Sequence, residues 1–355
     1  MAAFAVLLVV VWGLGFLWFR GDLSFDTAKE TTAKATDRPS VSASPSASPT
    51  VVPKLSGPSY KGKVSPREER RPVDVNPAAP RPRPIALPPI ARFNMASFNL
   101  LGSSHTGRGG HSPGLASGPQ RLNGALRILA QHQISVVGFQ EFQPNQRAAF
   151  RSRARGWQMY PGLSMGRRAG ENSVAWRTDT WEMVKPGLIP IPYFNGRIRP
   201  MPYVLLRNKQ TGVQAYFSTF HNPANIGGNQ ARFRREATRR EIRLFNQLEA
   251  TGMPQFVTGD MNERAEYFCR VTGATPLTAA AGGSNSGGCR PPRPTQIDWI
   301  FGSPGVQWTR YVVDRSPLVR RTTDHPVVVA SVTVDAMRFE NAYDPNAPTT
   351  PTPTG

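Results

Sequence analysis

Six short motifs in the last two thirds of the chain each place polar residues at the end of an apolar run or inside one. The polar residues are carboxylates, amides and histidines, which are side chains that bind metal ions or move protons. Because strands deliver side chains to one edge of a sheet, this pattern predicts that the motifs converge. In chain order the motifs are Ser97-Phe98-Asn99, Gly138-Phe139-Gln140-Glu141, Phe220-His221-Asn222-Pro223, Gly259-Asp260-Met261-Asn262, Ile297-Asp298-Trp299 and Thr323-Asp324-His325-Pro326.

Two of these motifs carry a physical argument of their own. Asp260 and Asn262 are two residues apart, so their side chains project to the same side of an extended segment. The carboxylate of such a pair can orient a water or bind a metal ion while the amide donates to a phosphate, although a simple Asx-turn has the same sequence. Asp298 interrupts an apolar strand, where an unpaired carboxylate is costly to bury. We therefore expect Asp298 to have a side-chain partner.

The order and types of these motifs resemble the endonuclease/exonuclease/phosphatase family, with its deoxyribonuclease-I-like fold, over roughly residues 92–336. The resemblance implies an α+β fold class in which two packed mixed β-sheets are flanked by helices, a four-layer α/β-sandwich. Apolar patterning agrees with it, because it predicts helices over 121–131 and 229–249. It predicts short strands over 93–100, 134–139, 171–177, 203–207, 213–220, 255–258, 296–301 and 327–334.

The resemblance also implies a role for each motif residue. Metal binding falls to Glu141, Asn99 and Asp324. The catalytic residues would be Asp260 on the water or metal, Asn262 on the phosphate, His325 as general base with Asp298, and His221 as general acid with Glu171.

Three further residues are candidates for substrate contacts, and the spacing of the segment 221–225 does not decide between its two asparagines. Asn222 or Asn225 could bind a phosphate, and so could Arg199, for which a surface arginine is the alternative. The expected cofactor is Mg²⁺, with Mn²⁺ or Ca²⁺ as alternatives.

The first 91 residues do not read as part of this domain. Residues 1–19 contain an uncharged apolar block, long enough as a helix to span a bilayer core of about 30 Å. We expect a transmembrane anchor there, with a cleaved signal segment as the alternative. Residues 20–91 are rich in Ser, Pro and basic residues and predict a disordered tether, and 337–355 predict a disordered tail. The catalytic-type domain is expected over 92–336.

The orientation of the anchor involves a conflict. Basic residues follow the apolar block, which by the positive-inside rule places the domain in the cytoplasm. The Ser/Pro/Thr tether and the paired cysteines favour the outside, and a translation start upstream of Met1 would remove the conflict. We expect a single-pass membrane protein with its domain outside the cytoplasm, or a secreted protein as the alternative, and a monomer.

The chain has two cysteines, Cys269 and Cys289, which lie in or next to a Gly/Ser-rich stretch. An even count in a loop, after a membrane segment, predicts one disulfide in an oxidising compartment. Two free thiols are the alternative, and neither cysteine has the spacing of a zinc site.

Charge and motifs together give the functional prediction. Residues 93–338 carry 30 Lys and Arg against 14 Asp and Glu, a net of +16, which attracts polyanions or reflects a bland basic surface. We expect a Mg²⁺-dependent phosphodiester hydrolase, a nuclease that cleaves DNA or RNA by metal-assisted in-line attack of water. The alternatives are a phospholipid or inositol-phosphate phosphodiesterase or phosphatase of the same family, and a catalytically silent binding module.

Overall fold

The computed structural model describes residues 89–165 and 171–343. The predicted anchor, nearly all of the predicted tether and the end of the predicted tail lie outside these residues. Within them, no helix combines the length and the apolar character that crossing a bilayer requires.

Twelve strands in the described part of the chain form two six-stranded sheets. They are β1 Ile90–Asn99, β2 Ile134–Gln140, β3 Trp157–Tyr160, β4 Ser173–Arg177, β5 Trp181–Pro192, β6 Ile198–Asn208, β7 Gln214–His221, β8 Gln255–Asp260, β9 Thr278–Ala279, β10 Asp298–Gly302, β11 Gln307–Asp314 and β12 Val327–Asp335. The first sheet has the order β11-β12-β1-β2-β4-β3 and the second β5-β6-β7-β8-β10-β9. In each sheet one parallel pair, β1 with β2 or β7 with β8, lies between antiparallel neighbours. Both sheets are therefore mixed.

Five α-helices in the same residues cover the outer faces of the sheets. They are α1 Gly118–Gln131, α2 Pro144–Arg153, α3 Ala231–Glu249, α4 Ala265–Ala274 and α5 Pro317–Thr322. The apolar faces of α1, α2 and α5 pack on the first sheet, and those of α3 and α4 pack on the second. The predicted fold class, two packed mixed sheets flanked by helices, is confirmed.

Aromatic side chains fill the core between the two sheets. The ring of Phe93 on β1 lies 5.1 Å from the ring of Trp181 and 5.4 Å from that of Phe256, in edge-on contacts. Phe217 stacks on Phe256 at 5.1 Å. Each such buried side chain contributes roughly 1.5–3 kcal/mol of transfer free energy, so this cluster joins the two sheets firmly.

The two sheets are in close contact at Gly138, near the end of β2. A methyl group at this position would collide with the hydroxyl oxygens of Thr219 on β7 and Thr258 on β8. The glycine therefore lets β2 lie directly against the parallel pair of the other sheet, close to the edge where the polar motifs end.

The predicted disulfide between Cys269 and Cys289 is confirmed, with 5.5 Å between the two Cα atoms. It joins α4 to the loop before β10, and both cysteines pack against the core of the second sheet. Closing a loop with a sequence separation of 20 residues stabilises the fold by about 3 kcal/mol in the chain-entropy account.

The packed domain extends beyond its predicted end at residue 336. Ala342 is buried, and Phe339 and Tyr343 pack against the core between the sheets. Backbone bonds hold this segment, since the amide of Gln214 donates to the carbonyl of Ala342 at 2.8 Å. Residues 337–343, which composition placed in the disordered tail, are thus part of the domain because their few apolar side chains find a place to bury.

A carboxyl group is buried where α3 contacts α4, the two helices that pack on the second sheet. Glu241 of α3 is 0% exposed and accepts a hydrogen bond from the hydroxyl of Tyr267 at 2.9 Å. Burial raises its pKa to about 8, although hydrogen bonds from Tyr267 and Asn222 act in the opposite direction. As placed, Glu241 Oε1 and Asn222 Oδ1 both lack a hydrogen-bond partner. Burial outweighs the bonds from Tyr267 and Asn222, so the acid form of Glu241 is favoured in the folded state.

We predict that Glu241→Gln changes how stability depends on pH. The folded carboxyl stays protonated up to about pH 8, whereas an unfolded glutamate ionises near 4.5. Unfolding therefore releases a proton between these values, and the wild-type free energy of unfolding falls with rising pH by about 3 kcal/mol over two pH units. The glutamine donates like the protonated acid and removes this loss. Urea denaturation at a series of pH values measures it.

The matched control for this experiment is Glu266→Gln on α4, where the glutamate is exposed. Its stability curve is expected to run parallel to that of the wild type. A Glu241→Gln curve that also runs parallel to the wild type between about pH 5 and pH 7 would contradict the protonated state of Glu241.

Candidate active site

The predicted motifs meet at one edge of the sandwich. The parallel strands β1 and β2 end side by side at Asn99 and Gln140, and β7 and β8 end side by side at His221 and Asp260. Strand β10 runs the other way and begins there, with Asp298 opposite Asp260. A cleft of about 360 Å³ opens at this edge. Its lining includes Glu141, Glu171, Arg199, His221, Asp260, Asn262, Asp324 and His325.

Glu141 directly follows β2 and is held by three donors. Asn99 Nδ2 lies 3.0 Å from Oε1, while the Gly102 amide lies 2.8 Å and His105 Nε2 lies 3.3 Å from Oε2. Burial alone would raise the pKa of Glu141. The hydrogen bond with His105 and the charge of His221, followed by the bonds from Gly102 and Asn99, outweigh burial and hold that pKa far below its ordinary value. Glu141 is therefore an ionised carboxylate at the cleft.

His325 and Asp298 form the buried pair that the sequence predicts. His325 Nδ1 lies 3.0 Å from each carboxylate oxygen of Asp298, which is 1% exposed. Burial lowers the pKa of His325, but the charge and hydrogen bond of Asp298, with the charges of Asp260 and Asp324, raise it to about 10. Burial raises the pKa of Asp298 in turn. The raised pKa keeps the imidazole of His325 protonated beside the Asp298 carboxylate, and its Nε2 atom faces the cleft.

Asp260 connects the two sides of the cleft. Its Oδ2 atom lies 3.1 Å from Asn99 Nδ2, 3.5 Å from His221 Nε2 and 3.6 Å from His325 Nε2. Its Oδ1 atom accepts the backbone amide of Asn262 at 3.0 Å, as in an Asx-turn. One carboxylate is therefore surrounded by the nitrogen atoms of an amide and two histidines.

Two donor sets at this cleft bear on metal binding. Atoms of Asp260, Asp298 and His325 lie within 4.8 Å of one another. However, His325 Nδ1 and the Asp298 oxygens bond to each other, which uses the lone pairs that an ion would need. Glu141 is ionised and opens on the cleft, so its oxygens fit a hard divalent cation better. Asn99 turns its NH₂ group toward Glu141 and Asp260, so in this arrangement it positions the carboxylates.

Backbone strain is concentrated around the cleft. Glu141, Glu171 and Asn262 have φ values of 54°, 59° and 49°, in the left-handed region that non-glycine residues rarely adopt. Leu101, two residues after Asn99, has a φ of 53°. Such strain costs about 1–3 kcal/mol per residue and persists where a function requires the geometry. The strained residues here are those that aim side chains into the cleft or flank them.

The predicted partner of His221 is not Glu171. Glu171 lines the cleft, but its Oε2 atom contacts Gln143 Nε2 at 3.5 Å. His221 Nδ1 instead contacts the hydroxyl of Tyr193 at 3.3 Å. Burial, followed by the charges of Glu141 and Asp260, raises the pKa of Tyr193 well above its ordinary value, so the phenol keeps its proton.

The two asparagines predicted to bind substrate do not line the cleft. Asn222 is 0% exposed and lies behind Asp260 and Met261. Asn225 Oδ1 accepts hydrogen bonds from Arg234 and from the amide of Gln230. Both are held in the turn before α3 and shape the cleft from behind.

The remaining predicted residues lie at the cleft. Arg199 lies with its guanidinium 6.0 Å from the ring centre of Tyr193. Asn262 donates one Nδ2–H to the carbonyl of Asn222 at 2.8 Å. The other Nδ2–H takes no part in this bond. Asp324 has its Oδ2 atom 3.8 Å from His111 Nε2.

Sequence reasoning missed Tyr193 and gave His111 no role. Tyr193 lies in the hairpin between β5 and β6, 28 residues before its histidine, and no motif marks it. His105 and His111 lie in the loop between β1 and α1, and both line the cleft. The hydrogen bond with Glu141 raises the pKa of His105, against burial, which lowers it.

Comparison with known proteins is consistent with this arrangement. The Endonuclease/Exonuclease/phosphatase family model matches residues 96–325. No curated protein matches the sequence. An endonuclease/exonuclease/phosphatase family protein from Bacteroides thetaiotaomicron is 19% identical with a TM-score of 0.53, over 70% of this chain and 97% of that one.

Two further solved structures share the fold. The human nocturnin catalytic domain with a bound sulfate anion is 19% identical with a TM-score of 0.51, over 69% of this chain and 98% of that one. D. rerio TDP2 complexed with a single-strand DNA product is 17% identical with a TM-score of 0.50, over 68% and 99%. The family model spans well over half of the 355 residues. The chain therefore belongs to the endonuclease/exonuclease/phosphatase family and has its deoxyribonuclease-I-like fold.

Proposed function

We propose that this chain is a divalent-metal-dependent phosphodiesterase that hydrolyses DNA or RNA by in-line attack of water. The observation that carries the proposal is the position of Asp260, whose Oδ2 atom lies 3.5 Å from His221 Nε2 and 3.6 Å from His325 Nε2. Two histidines thus face one carboxylate in a cleft that also holds the ionised Glu141. Phosphodiester hydrolysis needs a proton acceptor, a proton donor and a cation at one place.

The partners of the two histidines support different roles for them. Asp298 accepts the Nδ1–H of His325, so Nε2 faces the cleft and, once it has released its own proton, can accept a proton from water. Tyr193 stays neutral and can donate its hydroxyl to Nδ1 of His221, which leaves the proton on Nε2. We assign His325 as the general base and His221 as the general acid. These protonation states are assigned from the partners.

Other side chains would bind the ion and the phosphate. Glu141 would hold the divalent ion, with Asp324 also lining the cleft and Asn99 positioning the carboxylates. The ion, when bound, neutralises charge that develops on the phosphate oxygens. The second N–H of Asn262 is placed to donate to a phosphate oxygen, and Asp260 orients the water between the two histidines.

Charge and aromatic surface support a nucleic acid as the substrate. The net charge of +16 on residues 93–338 attracts polyanions. Tyr193 and Phe194, with ring centres 4.4 Å apart, line the cleft beside Arg199. Aromatic rings and arginine offer stacking surfaces to bases. TDP2, which shares the fold, was solved with a single-strand DNA product.

A phospholipid head group is the second candidate substrate. Ile226 lines the cleft with 64% of its surface exposed, and Ile198 is 53% exposed in the neighbouring hairpin. Exposed apolar side chains beside a catalytic cleft suit docking on a membrane. The basic surface would serve an anionic membrane as well.

We also propose that the chain is anchored by residues 1–19 with its domain outside the cytoplasm, where it acts as a monomer. The disulfide supports an oxidising compartment. Protease added to intact cells is expected to digest the domain, and its full protection until lysis would contradict this placement.

A substrate panel tests the proposed reaction. The full chain in mild detergent is incubated with plasmid DNA, RNA, sphingomyelin vesicles and bis-p-nitrophenyl phosphate, with Mg²⁺ or with EDTA. We expect cleavage of nucleic acid and of the small diester, and loss of both with EDTA, because the carboxylate-lined cleft needs a cation. Turnover of lipid alone would replace the nuclease assignment. Equal inactivity of the wild type and His325→Ala on all substrates would favour a silent binding module.

The pH profile of kcat/KM tests the two histidine roles separately. Asp298 raises the pKa of His325, so Asp298→Asn is expected to move the acidic limb to lower pH and to reduce the maximum about 100-fold or more. Tyr193→Phe removes the donor to His221 and is expected to alter the alkaline limb while the acidic limb stays in place. Initial rates on bis-p-nitrophenyl phosphate across pH, at saturating Mg²⁺, measure both.

His132→Gln is the matched control for these variants. His132 pairs with Asp314 on the first sheet, away from the cleft lining, and its loss should leave both limbs unchanged. Thermal melting of each variant shows whether it remains folded. An Asp298→Asn enzyme with an unshifted acidic limb would remove His325 from the role of general base.

A further inference from the structure

The loop between β1 and α1 places two histidines over the carboxylates of the cleft. His105 Nε2 lies 3.3 Å from Glu141 Oε2, and His111 Nε2 lies 3.8 Å from Asp324 Oδ2. The two imidazole rings are themselves neighbours, with centres 4.4 Å apart. The reaction proposed above uses neither histidine.

The first part of this loop is fixed by polar contacts. The amide of Gly102 donates to Glu141 Oε2 at 2.8 Å. Ser104 exchanges two hydrogen bonds with Gln143 before α2, each 2.9 Å long. These bonds fix Ser104, which directly precedes His105, against Gln143, which lies two residues after Glu141. They therefore hold His105 close to Glu141.

The second part of the loop folds back on His105. The amide of Ser112 donates to the His105 carbonyl at 2.9 Å. Gly110 lies so close to the same carbonyl that a methyl group there would collide with it. This closure carries His111 to its place beside His105.

The spacing of His105 and Glu141 suits two ligands of one metal ion. Ligands about 2.1 Å from a common ion are roughly 3.0 Å apart in octahedral geometry and roughly 3.4 Å apart in tetrahedral geometry. The observed 3.3 Å lies between these values. His111 and Asp324 are a more open pair, with side chains 58% and 39% exposed, so they can turn toward an ion.

The donor types point to a particular class of ion. Mg²⁺ prefers oxygen ligands and retains its waters, whereas imidazole nitrogen suits Zn²⁺ and other first-row transition metals. A site with nitrogen and carboxylate donors therefore discriminates against Mg²⁺. A simple ion pair between a protonated histidine and a carboxylate has the same geometry, and it would show no such preference.

We propose that His105 and Glu141 form the centre of a mixed nitrogen and oxygen site that selects a transition-metal dication, such as Mn²⁺ or Zn²⁺, over Mg²⁺, with His111 and Asp324 as an outer pair that closes on the ion. The inference rests on the proposed function in taking Glu141 as the metal ligand. It makes the β1–α1 loop the part of the molecule that determines which metal is bound.

Isothermal titration of the full chain in mild detergent with Mn²⁺, Zn²⁺ and Mg²⁺ tests this preference. The wild type should bind Mn²⁺ and Zn²⁺ more tightly than Mg²⁺. His105→Ala should weaken Mn²⁺ and Zn²⁺ binding by about 10-fold or more and leave Mg²⁺ nearly unchanged, and His111→Ala should have a smaller effect of the same kind. His132→Gln is the control and should match the wild type.

A spectroscopic measurement detects the nitrogen ligand directly. Electron spin-echo modulation of bound Mn²⁺ should show imidazole nitrogen coupling in the wild type and lose it in His105→Ala. His105→Gln serves as the second variant, because it can still hydrogen-bond to Glu141 but is a poor metal ligand. Loss of the coupling in both variants, with unchanged thermal melting, supports ligation. Persistence of the coupling in both would overturn it.

The outcomes separate this inference from the proposed function. If Glu141→Gln abolishes binding of all three ions while His105→Ala changes nothing, the metal position stands and the histidine ligand is refuted. If Glu141→Gln also changes nothing, the metal position in the proposed function is wrong. If His105 is required for Mn²⁺ binding but the wild type hydrolyses no phosphodiester, the metal site stands and the proposed function fails.

Discussion

The close packing of two parallel strand pairs determines where the functional groups of this molecule can lie. Strands β1 and β2 end at Asn99 and Gln140, and β7 and β8 end at His221 and Asp260, all at one edge. The sheets can pack this closely because Gly138 has no side chain where β2 meets the other sheet. The result is that carboxylates far apart in sequence share two hydrogen bonds from one amide, that of Asn99.

This arrangement is costly for the folded state. Asp260 and Asp298 are 2% and 1% exposed, and a buried carboxylate is stable only with partners. The histidines and Asn99 supply those partners, so the side chains that face the cleft also stabilise one another. Glu141 and Asn262 add left-handed backbone, which local packing maintains. Stability and geometry are therefore coupled here, and removing one polar group leaves another without its partner.

The sequence predicts those parts of the site that follow from strand ends and from the cost of burying charge. Asp298 stands inside an apolar strand, so its need for a partner is visible, and the family resemblance implies His325, which the structure places there. Tyr193 lies in a hairpin and is no more costly to bury than any other tyrosine. Nothing in the sequence therefore assigns it, in place of Glu171, as the partner of His221. The same limit applies to His105 and His111, whose loop is placed by side-chain contacts with Gln143 and Glu141. Strand β5, with its three prolines, and helix α2 were likewise not predicted, since neither has clear apolar periodicity.

The domain is strongly basic as a whole, but several acidic side chains line its cleft. Among the residues that the structure describes, the cleft is lined by four carboxylates, those of Glu141, Glu171, Asp260 and Asp324, and by one arginine, Arg199. A phosphate drawn in by the outer surface meets negative charge at the reaction centre, and the interaction is stronger there than in water because the site is partly buried. A divalent cation between phosphate and carboxylates turns this repulsion into attraction. Under the proposed function, the acidic cleft makes binding of a phosphate conditional on the metal, while the basic surface raises the encounter rate. Further positive charge on the surface of such an enzyme should raise its rate little, because the metal controls the step that follows encounter.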